Sequence, residues 1–381
     1  TQNEAEERDL LLSRHVLSKY FQMKKFLVYR DGAAAARCAV TLYEGDAAAY
    51  LGFFECVDDT ACSRLLFETA ARFAGDSGRV KITGPVDASF WIKYRLKTSR
   101  FDERPYVSEP YNLGYYLKLF LDFGFAVSET YKSNEYKRQS VLGFRNKKSG
   151  QRLKEYAEKN YLIVSPKRKD FDRVIREVYA LITDLYKDFP VFKMVGEEDF
   201  VRHYAALKYV LDLSMVKMAY YRGEAVGFFI GLPDYGNLLA GSVTPAAMIK
   251  ILLKRIRSRR YVMLYMGVAK KHRGLGLAMT QTVMHSVNRK AASAIGALIR
   301  QGKVTGAYGA ATPQMRSART SARSVVAPNA DRWSSSRYTG CPSSMTMHSS
   351  GQRMSWIGTY WTPGRSSNAS NSLITRALRS A

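Results

Sequence analysis

The segment that most constrains this chain is a short glycine-containing turn between a strand pattern and a helix pattern. An apolar strand ends at Met266-Gly267-Val268, and a helix with an apolar face begins within Arg273-Gly274-Leu275-Gly276-Leu277-Ala278. The first N–H groups of a helix have no partner within it, and the helix dipole adds positive charge there. Side chains at Gly274 and Gly276 would obstruct the close approach of an anion to the backbone. The pattern predicts a phosphate cradle with mobile positive charge from Lys270, Lys271 and Arg273.

Two familiar phosphate-binding loops do not match this turn. The pattern GxxxxGK[ST] is absent, and the turn lacks the third glycine and the later acidic residue of a dinucleotide fingerprint. A glycine-rich turn can also serve only to let a helix pack closely. The strand before the turn and the amphipathic helix after it favour the phosphate cradle over that structural alternative.

The residues from Arg273 to Ala278 fit the pattern Q/R-x-x-G-x-G/A and follow a strand. In both respects the segment resembles the acetyl-coenzyme A signature of the GNAT superfamily of N-acetyltransferases. The resemblance covers residues 155–300 well and residues 24–140 more loosely. It implies that acetyl-coenzyme A is a co-substrate held between strands 261–268 and 294–299, with its pyrophosphate on the cradle.

Both halves of the chain show antiparallel strand patterns followed by a helix and a further strand. In the first half, Asp31-Gly32 between two strand patterns predicts a hairpin. The repeated order predicts an α/β (α+β) chain of two GNAT-like domains, each with a mixed sheet. We place a GNAT-like domain without a cofactor motif at residues 1–145 and an acetyl-coenzyme A binding domain at 153–311. A basic stretch at 143–152 is the expected linker.

The first half lacks the cradle. Its strand at 51–55 is followed by a segment with no GxG and with two acidic residues, Asp58 and Asp59, which would repel a pyrophosphate. We therefore expect a substrate platform there. The aromatic residues of its long irregular loop either line a cleft between the halves or fill the core between them: Trp91, Tyr94, Tyr106 and Tyr111.

The resemblance implies direct attack of an amine on the thioester, with a backbone N–H near residues 266–268 steadying the oxyanion. A base must accept a proton from the amine. No acidic residue occurs between Asp234 and Asp331, so neither strand beside the cofactor supplies a carboxylate. The candidate bases are Asp234, Glu197, Glu198 and His272. Tyr308 is the candidate acid for the departing thiolate, because a tyrosine often follows the last strand in the superfamily.

The net charge of +26 is unevenly distributed. Residues 1–234 carry 37 basic and 32 acidic groups, residues 235–311 carry 13 basic groups and no acid, and residues 312–381 carry nine arginines and one acid. Two alternatives to acetyl transfer use this charge: an aminoacyl or peptidyl transferase acting on charged tRNA, and a non-enzymatic nucleic-acid binder. Because the middle region suits a polyanionic cofactor, nucleic acid is not the expected partner.

Residues 312–381 do not continue the pattern of the second domain. They are rich in serine and arginine, contain no lysine and show no sustained periodicity. We therefore expect the second domain to lack its normal C-terminal strands. One explanation is a disordered basic arm; the other, which we favour, is an out-of-frame translation beginning near residue 310, because the change falls inside a domain. A frame shift would also endanger activity.

The cysteines, the N-terminal residues and the length of the apolar runs bear on metal binding and on cellular location. Four cysteines without CxxC or nearby histidines indicate free thiols in a reducing compartment and no metal site. The acidic, polar N-terminus and the absence of an apolar run of 18 residues predict a cytoplasmic protein without a membrane partner. The expected acceptor is a small-molecule or peptide amine whose identity, like the oligomeric state, the sequence does not specify.

Overall fold

The computed structural model describes residues 3–137, 147–240 and 244–301, together with the backbone of 315–326 and 345–349. The described strands are β1 (Gln22–Arg30), β2 (Ala33–Leu42), β3 (Ala48–Cys56), β4 (Lys81–Gly84), β5 (Val86–Asp87), β6 (Lys93–Tyr94), β7 (Leu96–Lys97), β8 (Ala126–Lys137), β9 (Tyr161–Val164), β10 (Val216–Tyr221), β11 (Glu224–Pro233), β12 (Arg260–Val268), β13 (Ser293–Arg300), β14 (Met315–Val326) and β15 (Met345–Ser349). The described α-helices are α1 (Glu4–Leu11), α2 (Thr60–Asp76), α3 (Tyr116–Phe123), α4 (Lys147–Glu158), α5 (Phe171–Tyr186), α6 (Glu197–Tyr204), α7 (Leu207–Val210), α8 (Pro245–Arg257) and α9 (Leu275–Lys290).

One arrangement of strands occurs twice. In the first half, β1, β2 and β3 are antiparallel neighbours, and α2 leads from β3 to β4, which lies parallel to β3. In the second half, β10, β11 and β12 are antiparallel, and α9 leads from β12 to the parallel strand β13. The hairpin predicted at Asp31-Gly32 joins β1 to β2. The predicted fold class, a mixed α/β sheet in each half, is confirmed by this strand order.

Two strands, β8 and β14, join the two half-sheets. Strand β8, which ends the first half, pairs antiparallel with β13 of the second half, from Ser293 opposite Lys137 to Gly296 opposite Asn134. Strand β14 lies between β8 and β4 and pairs with both. The order across the joined sheet is β15-β1-β2-β3-β4-β14-β8-β13-β12-β11-β10-β9. Strand β13 pairs with β12 and with β8, both of which precede it in the chain.

The structure differs from the expectation for residues 312–381 in two segments. The backbone of 315–326 forms β14, and that of 345–349 forms β15, which pairs antiparallel with β1. Backbone pairing requires only an extended chain beside an open sheet edge. These segments therefore form strands although their sequence lacks the alternation of apolar and polar residues that is typical of a strand. The rest of this tail lies outside the described residues, and both explanations of its composition stay hypotheses.

Two other boundaries differ from the sequence pattern. The spacing of Leu10, Val16, Leu17 and Tyr20 predicts a helix over residues 4–20, but α1 ends at Leu11, and Ser13 takes a positive φ of 58°. Part of the expected linker is the first part of α4, because Leu153 and Tyr156 give that helix an apolar face that packs against α9. The domain limits at residues 145 and 153 stay a prediction.

The long loop of the first half packs against the second half. Trp91 and Tyr106 are buried in one core with α5 and α6, and the Trp91 indole donates a 2.8 Å hydrogen bond to the Lys193 carbonyl. Tyr111 is exposed. Of the four aromatic residues considered for a cleft, Tyr94 alone lines the cavity described below, and Trp91 and Tyr106 fill the core between the halves.

Candidate functional site

The predicted cradle is a turn that ends in a left-handed glycine. After β12, a 3₁₀ turn spans Lys270–His272, and α9 begins at Leu275 behind Gly274, whose φ is 96°. Gly274 has no side chain with which to cap the helix. The Leu277 N–H bonds to the Gly274 carbonyl at 3.2 Å, and no side chain caps the N–H groups before it, so these remain available to an anion.

Two tyrosines from neighbouring elements hold this turn in place. The Tyr156 hydroxyl donates a 2.7 Å hydrogen bond to the Arg273 carbonyl oxygen. A Cβ atom on Gly274 would lie 2.8 Å from the same hydroxyl. The Tyr161 hydroxyl lies 2.7 Å from His272 Nδ1, so this candidate base is engaged in supporting the turn.

In the first half, α2 is the helix that corresponds to α9, and its N-terminal N–H groups are capped by the Asp59 carboxylate. Asp59 Oδ1 accepts hydrogen bonds from the N–H groups of Ala61 and Cys62 at 2.7 and 3.0 Å, and Oδ2 pairs with Arg30. An anion at α2 would have to displace Asp59 from these donors. Of the two equivalent helices, α9 is the one whose N-terminus is open.

The predicted cofactor residues lie on both sides of the turn. Lys271, Arg273 and Gly274 are exposed, Leu275, Gly276 and Ala278 are buried beneath it, and Val268 and Leu277 are partly buried. On β12, Met266 lines the cavity, and Gly267 packs so closely that a Cβ atom would lie 2.6 Å from the side chains of Leu185 and Phe228. Open amides flanked by exposed cations fit a pyrophosphate; the individual roles stay a prediction.

Strands β12 and β13 separate beside this turn. They pair from Arg260 opposite Ser293 to Met263 opposite Gly296. Beyond that point β12 follows β11, with a register shift at Leu264, whereas β13 follows β8. Because β12 then has a neighbour on one side only, alternate N–H groups on its other side face the opening between the strands.

The opening leads into a cavity of about 740 Å³ between the two halves. Its wall includes Glu6 and Tyr94 from the first half and Met266 and Arg300 from the second, and it reaches Lys270 at the entrance to the cradle turn. The apolar part of the wall includes Phe90, Leu185, Phe189, Met263 and Leu298. Cavity and cradle are therefore connected along β12.

A fixed cation projects into the first-half side of this cavity. The Arg95 guanidinium lies 3.9 Å from the ring centre of Tyr94 and 4.5 Å from that of Tyr131. Burial raises the pKa of the Tyr131 phenol, which is 3% exposed and lies beside Tyr94. Arg300, by contrast, is paired with Glu129. The wall thus offers a guanidinium and a buried hydroxyl as donors to a bound molecule.

A carboxylate that the sequence did not suggest also lies on the wall. Glu6 on α1 has its Oε1 atom 3.7 Å from His15 Nε2 and 3.9 Å from His203 Nδ1. Burial by itself raises the pKa of Glu6, but the hydrogen bond from His15 and the charge of His203 outweigh it and hold the pKa below its usual range. His15 Nδ1 accepts the Leu17 N–H at 3.2 Å, so a neutral His15 carries its proton on Nε2, facing Glu6.

These three side chains have the composition of a metal site, although positions 6, 15 and 203 share no recognisable spacing. A histidine that binds a metal through one nitrogen normally donates a hydrogen bond from the other. His15 instead accepts one at Nδ1, which leaves the proton on the nitrogen that would have to bind the metal. The arrangement therefore favours a hydrogen-bonded carboxylate over a metal ion.

The bases suggested by the sequence are not on the cavity wall. Asp234 Oδ1 accepts hydrogen bonds from the N–H groups of Val107 and Gly236 at 3.0 and 3.1 Å, and Oδ2 lies 3.4 Å from Arg260 Nε. Asp234 thus joins the end of β11 to the first half, and its role as a base stays a prediction. Glu197 and Glu198 both pair with Arg176 at the start of α6. Tyr308 lies outside the described residues, and its role as an acid also stays a prediction.

Comparison with known proteins gives the following similarities. No protein-family model matches the chain. A bacterial ceramide synthase from Caulobacter vibrioides (strain NA1000 / CB15N) is 23% identical over 267 residues, which cover 66% of this chain and 67% of that protein. A tandem GNAT protein from the clavulanic acid biosynthesis pathway is 12% identical with a TM-score of 0.44, covering 82% of this chain and 84% of that one.

A second similar structure is the C-terminal domain of a putative lysylphosphatidylglycerol synthetase from Agrobacterium fabrum. It is 9% identical with a TM-score of 0.37, covering 84% of this chain and 89% of that one.

Proposed function

We propose that this protein is an N-acyltransferase that transfers an acyl group from a coenzyme A thioester to an amine bound in the cavity between its halves. The observation that carries the proposal is the separation of β12 and β13 beside the open N-terminus of α9. The cavity lies along β12 from Met263 to Met266, and the cradle turn follows the end of the same strand. The thioester supplies an activated acyl carbon, and acetyl-coenzyme A is the donor that the cradle motif implies.

On the donor side, this chain supplies the anchoring groups for the coenzyme. The open amides behind Gly274, with the exposed Lys271 and Arg273, bind the pyrophosphate. The edge of β12 beyond Met263 directs the thioester toward the cavity and presents N–H groups to the carbonyl oxygen. Such fixed donors stabilise the negative charge that develops there during attack.

On the acceptor side, Glu6 is the group that accepts a proton from the amine. It is a carboxylate on the cavity wall, and His15 directs a proton-bearing nitrogen toward it. The adjacent imidazole of His203 can take up a proton from Glu6, since its Nδ1 lies 3.9 Å away. A positioned base with a neighbouring second acceptor is suited to repeated proton removal from an ammonium group.

The test is titration calorimetry of the wild-type chain with acetyl-coenzyme A and with a long-chain acyl-coenzyme A, followed by an assay of acyl transfer to amines. We expect binding that is lost in Gly276→Glu, because the new carboxylate would lie at the open helix N-terminus. Gly75→Glu places the same side chain on an exposed helical glycine with nothing within 4 Å of its Cβ position. Because Gly276 is buried, circular dichroism must first establish that both variants are folded.

Two results would contradict the proposal. One is the absence of coenzyme A binding by a folded wild-type protein. The other is acyl transfer from charged tRNA without any affinity for coenzyme A, which would favour aminoacyl transfer. Equal loss of binding in Gly276→Glu and Gly75→Glu would remove the assignment to α9.

A further inference from the structure

Helix α8 presents a stripe of large apolar side chains to solvent. The exposed fractions of Ile249, Leu252, Leu253 and Ile256 are 59%, 38%, 44% and 74%. Their spacing of three and four residues places all four within an arc of about 100° on the helix. Single exposed apolar side chains are common, but four on one stripe indicate a surface that is covered in the working protein.

Positive charge adjoins the stripe. Lys250, Lys254 and Arg257 are exposed on the neighbouring face of α8. No acidic residue occurs between Asp234 and Asp331, so these cations have no acidic neighbours along this part of the chain. Arg255 differs from them, because its guanidinium donates a 2.9 Å hydrogen bond to the Tyr209 carbonyl.

The remaining face of α8 fixes the helix on the protein. Ile251 is buried in the second-half core, and Met248 packs against the same core. At the N-terminus, the Thr244 hydroxyl accepts a 3.1 Å hydrogen bond from the Ala247 N–H, with Pro245 in the first turn. The apolar stripe therefore does not arise from a loose helix; it is held facing outward.

The stripe lies near the candidate site. A 3₁₀ turn at Gly236–Leu239 contacts α8 and supplies Gly236 and Leu239 to the cavity wall. A surface that covered α8 would thus lie beside the rim of the cavity. A partner bound there would be close to any molecule entering that side of the site.

We propose that α8 docks this protein on an anionic lipid bilayer, with the apolar stripe in the headgroup region and the three cations at lipid phosphates. Charge complementarity selects this partner, because an apolar stripe bordered by cations without acidic residues fits an anionic interface. The proposal stands independently of the acyl transfer reaction, and it departs from the sequence-based expectation of no membrane partner. No helix among the described residues has the length and apolar content to cross a bilayer, and α8 would lie in the plane of the interface.

The experiment is co-flotation of the full chain with two kinds of vesicle, phosphatidylcholine alone and phosphatidylcholine mixed with phosphatidylglycerol. We expect the wild type to float with the mixed vesicles, with an affinity at least about tenfold higher than for the neutral ones and falling as salt is added. Ile249→Ser/Ile256→Ser should lose binding to both. Lys250→Gln/Lys254→Gln/Arg257→Gln should lose the preference for anionic lipid.

Matched variants carry the same changes elsewhere on the surface. Leu162→Ser removes an apolar side chain that is 58% exposed on β9, and Lys147→Gln/Lys148→Gln/Lys154→Gln removes three exposed cations from α4. Both should float like the wild type, with circular dichroism establishing that every variant is folded. Failure of the wild type to bind mixed vesicles would overturn the proposal, as would equal losses in the α8 and control variants. A lipid-free dimer that becomes monomeric in Ile249→Ser/Ile256→Ser would assign the stripe to a second copy instead.

Discussion

The Tyr156 hydroxyl lies between two parts of the cradle turn: it donates a 2.7 Å hydrogen bond to the Arg273 carbonyl, and it is 2.8 Å from the position of a Cβ atom on Gly274. Tyr156 belongs to α4, which packs against α9. The helix that joins the halves in sequence thus supports the cradle turn that precedes α9.

We expect Gly274→Ala to destabilise the protein and to weaken coenzyme A binding. Alanine at a φ of 96° is strained by about 1–2 kcal/mol, and its Cβ would displace the Tyr156 hydroxyl. Adding Tyr156→Phe should relieve the contact but not the backbone strain, so the double variant should recover only part of the loss. Urea unfolding and calorimetry with acetyl-coenzyme A measure the two effects.

Gly75→Ala is the control for this change, because Gly75 lies in α2 with open space around its Cβ position. A helical glycine of this kind should tolerate alanine or gain stability from it. If Gly274→Ala unfolds at the same urea concentration as the wild type, the left-handed turn is not as described.

The cradle and most of the strand order could be predicted from sequence because their signals are local. The sequence predicts a helix that starts near Tyr115 and stops before Gly124. In the structure α3 ends at Phe123, and Gly124 follows it with a φ of 109°. The turn at Gly274 likewise lies between its own strand and helix. Such features depend on neighbouring residues, so a single sequence contains the information.

The pairing of β8 with β13 and the position of Glu6 could not be predicted in the same way. Lys137 lies opposite Ser293, and no feature near either residue specifies that partner. Glu6 is on a polar N-terminal helix, and it reaches the cavity only through the packing of the two halves. The sequence around Arg95 indicates only an ordinary loop cation, because its contact with Tyr131 on β8 arises from the tertiary structure. These relationships depend on tertiary contacts between distant segments.

Glu6→Gln should lower the rate of acyl transfer about 10²–10⁴-fold while leaving coenzyme A binding unchanged, because the amide cannot accept the proton. Since the pKa of Glu6 lies below its usual range, the wild-type carboxylate should stay ionised to lower pH than an ordinary glutamate. An acid-side loss of activity assigned to Glu6 should therefore fall below about pH 4.3. Steady-state kinetics across pH measure both effects.

Glu4→Gln is the matched control on the same helix, because Glu4 is exposed. Its kinetics should equal those of the wild type. A Glu6→Gln variant with wild-type turnover would exclude Glu6 as the base and return attention to Asp234.

The ion pair between Lys97 and Glu109 should contribute strongly to stability. Both side chains are 2% exposed, with 3.6 Å between Lys97 Nζ and Glu109 Oε2, which also accepts the Tyr106 N–H at 3.1 Å. Lys97→Met removes the cation 3.6 Å from this buried carboxylate, and we expect a loss of about 3–5 kcal/mol in the free energy of unfolding. Chemical denaturation measures this loss.

The double variant Lys97→Met/Glu109→Gln tests whether the buried charge of Glu109 causes the loss of stability. The glutamine removes the buried charge but keeps an oxygen acceptor for Tyr106, so stability should return in part. Additive losses in the double variant would show that packing around Lys97, rather than the buried charge of Glu109, determines the effect.

Asp212 connects the two elements on either side of the cradle, and its contribution should depend on pH. Its Oδ2 atom lies 2.9 Å from Lys290 Nζ at the end of α9 and accepts a 2.9 Å hydrogen bond from the Tyr261 hydroxyl on β12. Burial raises the pKa of Asp212, but hydrogen bonds from Lys290, Ser214 and Tyr261 outweigh it and leave the pKa below its usual value. The carboxylate is thus more easily ionised in the folded protein than in the unfolded chain.

Asp212→Asn should therefore lower the free energy of unfolding by about 2 kcal/mol at neutral pH. Because the folded-state pKa is the lower one, this contribution is fully present above the unfolded-state pKa of about 3.9 and disappears as the pH falls through the folded-state value. Melting temperatures of the wild type and Asp212→Asn should differ at pH 7 and converge in strong acid. Asp102→Asn, at an exposed site, should melt like the wild type throughout. A difference for Asp212→Asn that did not shrink with acid would mean that the neutral hydrogen bonds, and not the charge, join β12 to α9.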